Sequence, residues 1–426
     1  MATAVTEGPS AADRQASGLS YLKSRAATLL SWLVALWIFS GATVIAEPSP
    51  YEVGFILVLG IGLFGGFAVH RSTLGLLVLF AAFIPFALIA AFQVKFNPLD
   101  DALIYQAVTI FLLFTAYFVA NYVADAPQQR MKLIVNAYIA AAVMSAILGT
   151  LGYLHLVPGS DFLVRYDRAK ALFKDPNVYG PFLILPAMYL VQRVLLSKGK
   201  RAFNAAVLFG VLFIGVFVSF SRAAWGIFAL SAGLLFVLVF VFEAHARDKV
   251  RMLLVAMVGS LVLLVTLAGL LAIPAVGELF ETRTSAQSYD AGESGRFGRQ
   301  AYAFELALAH PLGLGPLEFR NMRIVEEPHN AYVNVLLAYG WGGGAVMILL
   351  IGTTIWRGVS FVIRPSPNRL LLIPLVSTFV MLAAEAAIID LDHWRHFYLV
   401  AGLIWGVTAA YDKATPEERK RLSALV

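Results

Sequence analysis

Twelve apolar runs of near-membrane length partition this chain and constrain its fold more than any other feature. They lie at about 29–46, 51–69, 73–93, 102–123, 132–157, 178–196, 202–220, 223–242, 250–272, 329–356, 370–389 and 397–411. A helix needs about 20 apolar residues to cross the hydrocarbon of a bilayer. Within lipid every backbone polar group must find its partner inside the protein, which leaves helices or closed barrels. Runs this long predict an all-α polytopic membrane bundle of about twelve transmembrane helices. Of the 426 residues, 60% are hydrophobic and 14% charged, whereas soluble domains carry about a quarter charged residues. The expected segments are a tail over 1–28, helices 1–9 over 29–273, a hydrophilic loop with short amphipathic helices over 274–328, helices 10–12 over 329–411, and a tail over 412–426.

Charge placement orients these runs. With the N-terminus inside, 20 of the 32 lysines and arginines fall in inner segments and 12 in outer ones, although the outer side holds the longest loop. Ser197-Lys198-Gly199-Lys200-Arg201 and Arg247-Asp248-Lys249-Val250-Arg251 fit the positive-inside bias well. Both termini are then cytoplasmic, and 274–328 lies outside. Val44-Ile45-Ala46 faintly resembles a signal-peptidase site, but the long polar lead-in favours an uncleaved first span. The net charge of +6 reflects inner anchors that meet anionic headgroups. Membrane lipid, not nucleic acid, is the partner it implies. With no cysteine in the chain, disulfides and thiol chemistry are excluded.

Cations on the outer side run against that bias. The loop from Asp161 to Asn177 carries Arg165, Arg168, Lys170 and Lys174 beside Asp175. Arg222 sits alone between two apolar runs; an arginine at that depth is costly and marks a ligand path or a buried partner. Over 293–310, Phe297, Ala301, Phe304 and Leu308 recur at helical spacing and form one apolar stripe, which ends at Pro311. Arg296 and Arg299, three apart, share a face of this amphipathic helix. Such a helix suits the outer membrane surface, where two forked donors match phosphate or diphosphate; plain headgroup anchoring is the alternative. Arg283, Arg320, Arg323 and Lys174 read as solvated surface charges.

Pro328 fits the first residue of a helix, which puts His329 in the first turn beside Glu326 and Glu327. A histidine set there, where a long loop meets a membrane helix, suits a general base; a structural cap is the alternative. Asp390-Leu391-Asp392, followed by His393 and His396, is too sparse for a metal site, and its acids are expected to pair with Arg395 or the outer arginines. Gly313-Leu314-Gly315 lacks the strand-to-helix setting of a nucleotide loop. No cofactor is expected.

Sidedness then limits the chemistry. ATP and nucleotide sugars are absent outside the membrane, so a synthetic enzyme there needs a donor with a built-in leaving group. A lipid diphosphate qualifies. Arginines arranged around the departing diphosphate would stabilise the transition state, and the acceptor hydroxyl would need only a base.

Four stretches stand in order along the chain, the third of them an outer loop in two parts. They are Phe173-Lys174-Asp175-Pro176-Asn177-Val178-Tyr179-Gly180 and Val218-Ser219-Phe220-Ser221-Arg222-Ala223-Ala224-Trp225-Gly226. Next come Ser294-Gly295-Arg296 with the helix after it, and His310-Pro311-Leu312-Gly313-Leu314-Gly315 then Phe319. The last is Pro328-His329-Asn330-Ala331-Tyr332-Val333 through Tyr339-Gly340. Together, over about 165–345, they resemble the O-antigen ligase and polymerase family. The resemblance implies a metal-independent glycosyltransferase of the bacterial inner membrane, fed by undecaprenyl-diphosphate-linked glycan at the periplasmic face. Lipid A-core or a second glycan would be the acceptor. It implies that Arg222 and Arg296 grip diphosphate and that His329 serves the acceptor. Lys170, Asp175, Asn177 and Asn330 are expected to contact diphosphate or glycan, and Arg299 joins them from helix geometry. Ala338 departs from the family, whose members often carry an acid there, and this leaves the branch open.

Ligation onto lipid A-core is the leading expectation, with polymerisation onto another lipid-linked glycan beside it. A twelve-span transporter or flippase fits the same span count. Transporter halves commonly repeat internally, however, and no repeat is visible here.

Overall fold

The computed structural model describes residues 11–65, 67–285, 290, 292–293, 295–322 and 326–412. Ser294, Arg323, residues 1–10 and all but the first residue of the 412–426 tail lie outside the described residues. The apolar runs become helices: α1 (Ala11–Ser40), α2 (Pro50–Phe64), α3 (Leu74–Ala91), α4 (Leu99–Asp125) and α5 (Pro127–Tyr153). After a small antiparallel hairpin of β1 (Val164–Arg165) and β2 (Arg168–Ala169) come α6 (Pro176–Phe182), α7 (Ile184–Leu196), α8 (Gly199–Val218), α9 (Arg222–Phe242) and α10 (Ala246–Leu271). The hydrophilic loop holds α11 (Pro274–Thr284) and α12 (Arg296–Ala309), and α13 (Ala331–Ile363), α14 (Arg369–Glu385) and α15 (Arg395–Asp412) follow.

Among the described residues, eight helical segments are long and apolar enough to cross a bilayer unaided: α3, α4, α5, α6 with α7, α8, α9, α10 and α13. The other four expected crossings fall on the apolar part of α1 (Arg25–Ser40), on α2, and on α14 and α15, which have 17 and 18 residues. At about 1.5 Å per residue such helices reach roughly 22–27 Å, a little short of the ~30 Å hydrocarbon. Flanking loops must cover the difference. The run expected at 178–196 is split at Leu183, between Pro181 and Pro186, because proline supplies no N–H to the helix ladder.

Packing is closest between α4 and α15. Gly402 and Gly406, four apart on α15, face the backbone of α4, where an added Cβ would fall 2.4 Å from the Ala116 carbonyl oxygen and 2.7 Å from that of Ala120. Small residues at this spacing let two helix backbones approach, and dispersion and close packing then hold them where lipid offers no hydrophobic drive. At the opposite extreme, α10 buries little beyond Met252 and presents apolar side chains all round. A helix of that kind is soluble only in lipid.

α13 is bent at Gly340, whose φ of 71° belongs to the left-handed region that glycine enters without cost. The break frees backbone groups, and the hydrophilic loop takes them up: Trp341 N donates to Pro311 O at 2.9 Å and Leu314 N to Leu337 O at 2.7 Å. The His310–Gly315 and Tyr339-Gly340 stretches, read separately in the sequence, are thus one joint. It pins the loop across the end of the bundle where the candidate residues collect.

Candidate active site

The hairpin between α5 and α6 sets the first wall. Tyr166 and Asp167 both have φ near 55°, the pattern of a two-residue turn whose twist matches its strands. Arg168 thereby turns inward and is 6% exposed, its Nε donating to Ser219 O at 2.8 Å and its Nη2 to Asn177 Oδ1 at 2.7 Å. Asp175 caps α6 by accepting from Asn177 N at 2.8 Å, with Pro176 as the first helical residue. The Asp-Pro-Asn stretch is therefore a helix start that also anchors an arginine.

The α8–α9 turn sets the second wall. Phe220 is buried with φ 46°, Ser221 caps α9 through Ala224 N, and Arg222 opens the helix. Its Nη2 lies 2.5 Å from Asp290 Oδ2. Arg283, in the last turn of α11, is depressed by burial first and then by Arg222 and Arg296, with Asp290 opposing. Arg168 is lowered to about 10, again by burial first, then by Arg283 and Arg222, with Asp175 opposing. Arg168 and Arg283 thus both feel neighbouring guanidiniums, as expected of a pocket built for an anion.

The third wall carries the histidine. α13 begins at Ala331 with Asn330 as its cap, the Asn330 side chain accepting from Val333 N at 3.2 Å. The expected start at Pro328 is corrected: His329 has φ 55°, which no right-handed helix admits, so it stands before the cap. Its conformation is held from both sides. His329 N and Asn330 N donate to the Asp390 carboxylate at 3.0 and 2.9 Å, and Gln300 Nε2 on α12 donates to His329 O at 2.7 Å. The imidazole Nδ1 lies 3.3 Å from Asp390 Oδ2, and Nε2 lies 3.6 Å from Glu326 Oε2.

These walls enclose one cavity of about 780 Å³, lined by Arg168, Arg222, Arg283, Arg296, Arg320 and His329, with Asp175, Asn177, Glu326, Glu327 and Asp390 between them. Of the residues singled out by sequence, Arg222, Arg296, His329, Asp175 and Asn177 meet here. Three others go elsewhere. Arg299 is 3% exposed and pairs with Glu326; Lys170 lies 4.7 Å over the Phe162 ring; Asn330 spends its side chain on the cap. Arg283 and Arg320, read as surface charges, line the cavity instead, because α11 and the 318–321 turn fold back over the bundle. Lys174 does form an exposed pair, with Glu47 at 3.2 Å.

Asp390-Leu391-Asp392 also differs from expectation. Asp390 serves His329, while Asp392 accepts from Tyr105 Oη at 2.9 Å and Asn334 Nδ2 at 3.2 Å. Arg395 pairs with Glu52 at 2.6 Å and Glu47 at 3.5 Å, so neither acid needs it. Residues 206–348 match the family model described as O-antigen ligase. The match takes in 143 of the 426 residues and supports the O-antigen ligase family. No curated protein matches the chain. The match, with the apolar helices around it, supports a glycosyltransferase-like role in O-antigen ligation or polymerisation in a bacterial membrane. The family segment contributes Arg222, Arg283, Arg296, Arg320 and His329 to the cavity; Arg168, Asp175, Asn177 and Asp390 come from outside it.

Proposed function

We propose that the protein transfers a glycan from undecaprenyl diphosphate to a saccharide hydroxyl at the periplasmic face of the inner membrane, with lipid A-core as acceptor. The chain crosses the membrane twelve times with both termini cytoplasmic, and the 274–328 loop closes over the site from the periplasm. The observation that carries this reading is the convergence of five arginines and one histidine on a single cavity. The acceptor oxygen attacks the anomeric carbon, and the bond from that carbon to the diphosphate oxygen breaks. The electron pair leaves with the diphosphate, whose charge meets Arg168, Arg222, Arg283 and Arg296, a prearranged set of donors. Nε2 of His329 takes the acceptor proton, while Asp390, facing Nδ1, orients the ring and stabilises its charged form. Asp175, Asn177 and Arg320 contact the diphosphate or the first sugars. Arg299 fixes Glu326, and Asn330 fixes the helix start beneath His329.

The test is turnover of purified lipid-linked glycan in the presence of lipid A-core. His329→Ala is expected to fold and insert yet lose transfer by about 10²–10⁴-fold, the usual contribution of a general base. A His329→Ala enzyme that transfers at the wild-type rate ends the proposal. Product formed only on a second lipid-linked glycan identifies a polymerase. An inert wild-type protein that moves the donor across vesicles is a transporter.

A further inference from the structure

We propose that a second cavity on the same face is a saccharide subsite that seats an uncharged pyranose ring; the assignment rests on the glycan-transfer reading above. The cavity holds about 390 Å³ and shares Arg320 with the basic one. Its volume falls in the range of small-molecule sites, about 300–1,000 Å³. Its walls are aromatic: the Tyr138 and Phe182 rings stand 4.7 Å apart, Phe173 and Phe182 5.0 Å, and Trp394 and His396 5.2 Å.

Three polar atoms on residues that line the cavity are buried without a hydrogen-bond partner among the described residues: Tyr51 Oη, Tyr138 Oη and His396 Nε2. Their residues are only 2%, 2% and 5% exposed. Most buried polar groups in proteins are satisfied, and an orphaned one destabilises by about 1–3 kcal/mol. Three orphans on the residues of one chamber point to a ligand that supplies donors and acceptors. Of the cations at the mouth, Lys174 and Arg395 are already matched with Glu47, and Arg320 is shared with the basic cavity. Apart from Arg320, which the basic cavity already uses, no unmet cation draws an anion there. A sugar ring meets both conditions, since its C–H faces pack on aromatic rings and its hydroxyls reach the orphaned atoms. The ring belongs either to the donor glycan or to the acceptor.

The experiment uses the full chain in lipid nanodiscs. Tyr138→Phe and His396→Phe each remove an orphaned atom and keep a ring in place. Each variant is expected to raise KM about three- to ten-fold for one substrate, as loss of a neutral hydrogen bond would, and to lower kcat less. Donor and acceptor are titrated separately, so the affected substrate names the source of the ring. A second readout needs no turnover: soluble core oligosaccharide and soluble repeat-unit oligosaccharide are titrated against tryptophan fluorescence, with Trp394→Phe as the control that removes the signal. KM values and titrations unchanged in both variants overturn the proposal, leaving a chamber filled by water. A saturable Trp394 signal, lost in Tyr138→Phe, from a protein that transfers nothing would sink the transfer reading and keep the subsite.

Discussion

At His329 the chemistry depends on one carboxylate. Asp390 faces the ring and also receives two backbone N–H groups, so it fixes both the rotamer and the left-handed backbone, which otherwise costs of order 1–2 kcal/mol. Asp390→Asn retains the shape but not the charge opposite Nδ1. The expected result is a fall in kcat of about 10²-fold or more, with donor KM within a few-fold; an unchanged kcat would make Asp390 a purely structural partner. Glu327, close by, answers to pH. Burial pushes its carboxyl from 4.5 up to about 7, against the pull of Arg320 and with the help of Asp390 and Asp392. Between those values the unfolded chain ionises and the folded one stays protonated. Its stability contribution is therefore complete below pH ~4.5 and is lost as pH rises through about 7, by up to about 3 kcal/mol. Thermal midpoints across that window should fall for the wild type, and the slope should flatten in Glu327→Gln.

Among the elements, α12 carries the largest mismatch between pattern and packing. Its apolar stripe does form, but Phe297, Phe304 and Leu308 are 57%, 46% and 54% exposed, while Arg299, Ala303 and Ala307 face the protein. Periodicity foretold the helix and a stripe suited to the membrane surface; it gave no sign that Arg299 would turn inward with Ala303 and Ala307. That inversion suits a helix resting on lipid at headgroup level. Phe304→Trp in vesicles should be quenched by brominated lipid acyl chains, and emission typical of water with no quenching would place the stripe in solvent. The hairpin gives the converse lesson. Its four outer cations were visible in sequence, but only the two-residue turn decides that Arg168 enters the cavity and Lys170 does not. Turn chemistry at Tyr166-Asp167 carries no glycine or asparagine, so that signal was nearly silent.

Across the whole molecule, function is assembled from segments far apart in sequence. The family segment supplies the histidine and four arginines, while the hairpin before it and Asp390 after it complete the walls. Their convergence on one end of the bundle fits the alternating twelve-span path proposed from the apolar runs and the charge bias. The short helices α1, α2, α14 and α15 are where a twelve-span path is most open to challenge, since each needs loop residues to fill the bilayer. A chain without cysteine suits direct examination. Single cysteines at Ala46, Lys95, Asp161, Ser285 and Ala387 should react with a membrane-impermeant maleimide from the periplasmic side of spheroplasts. Those at Arg71, Lys198 and Arg364 should react only in inverted vesicles. If cysteines at Ala46 and Arg71, or at Arg364 and Ala387, label from the same side, the helix between them does not cross. The ends of α13 and of the α8–α9 pair would then have to be oriented by something other than the charge bias, and a diphosphate site facing the periplasm would lose its physical basis.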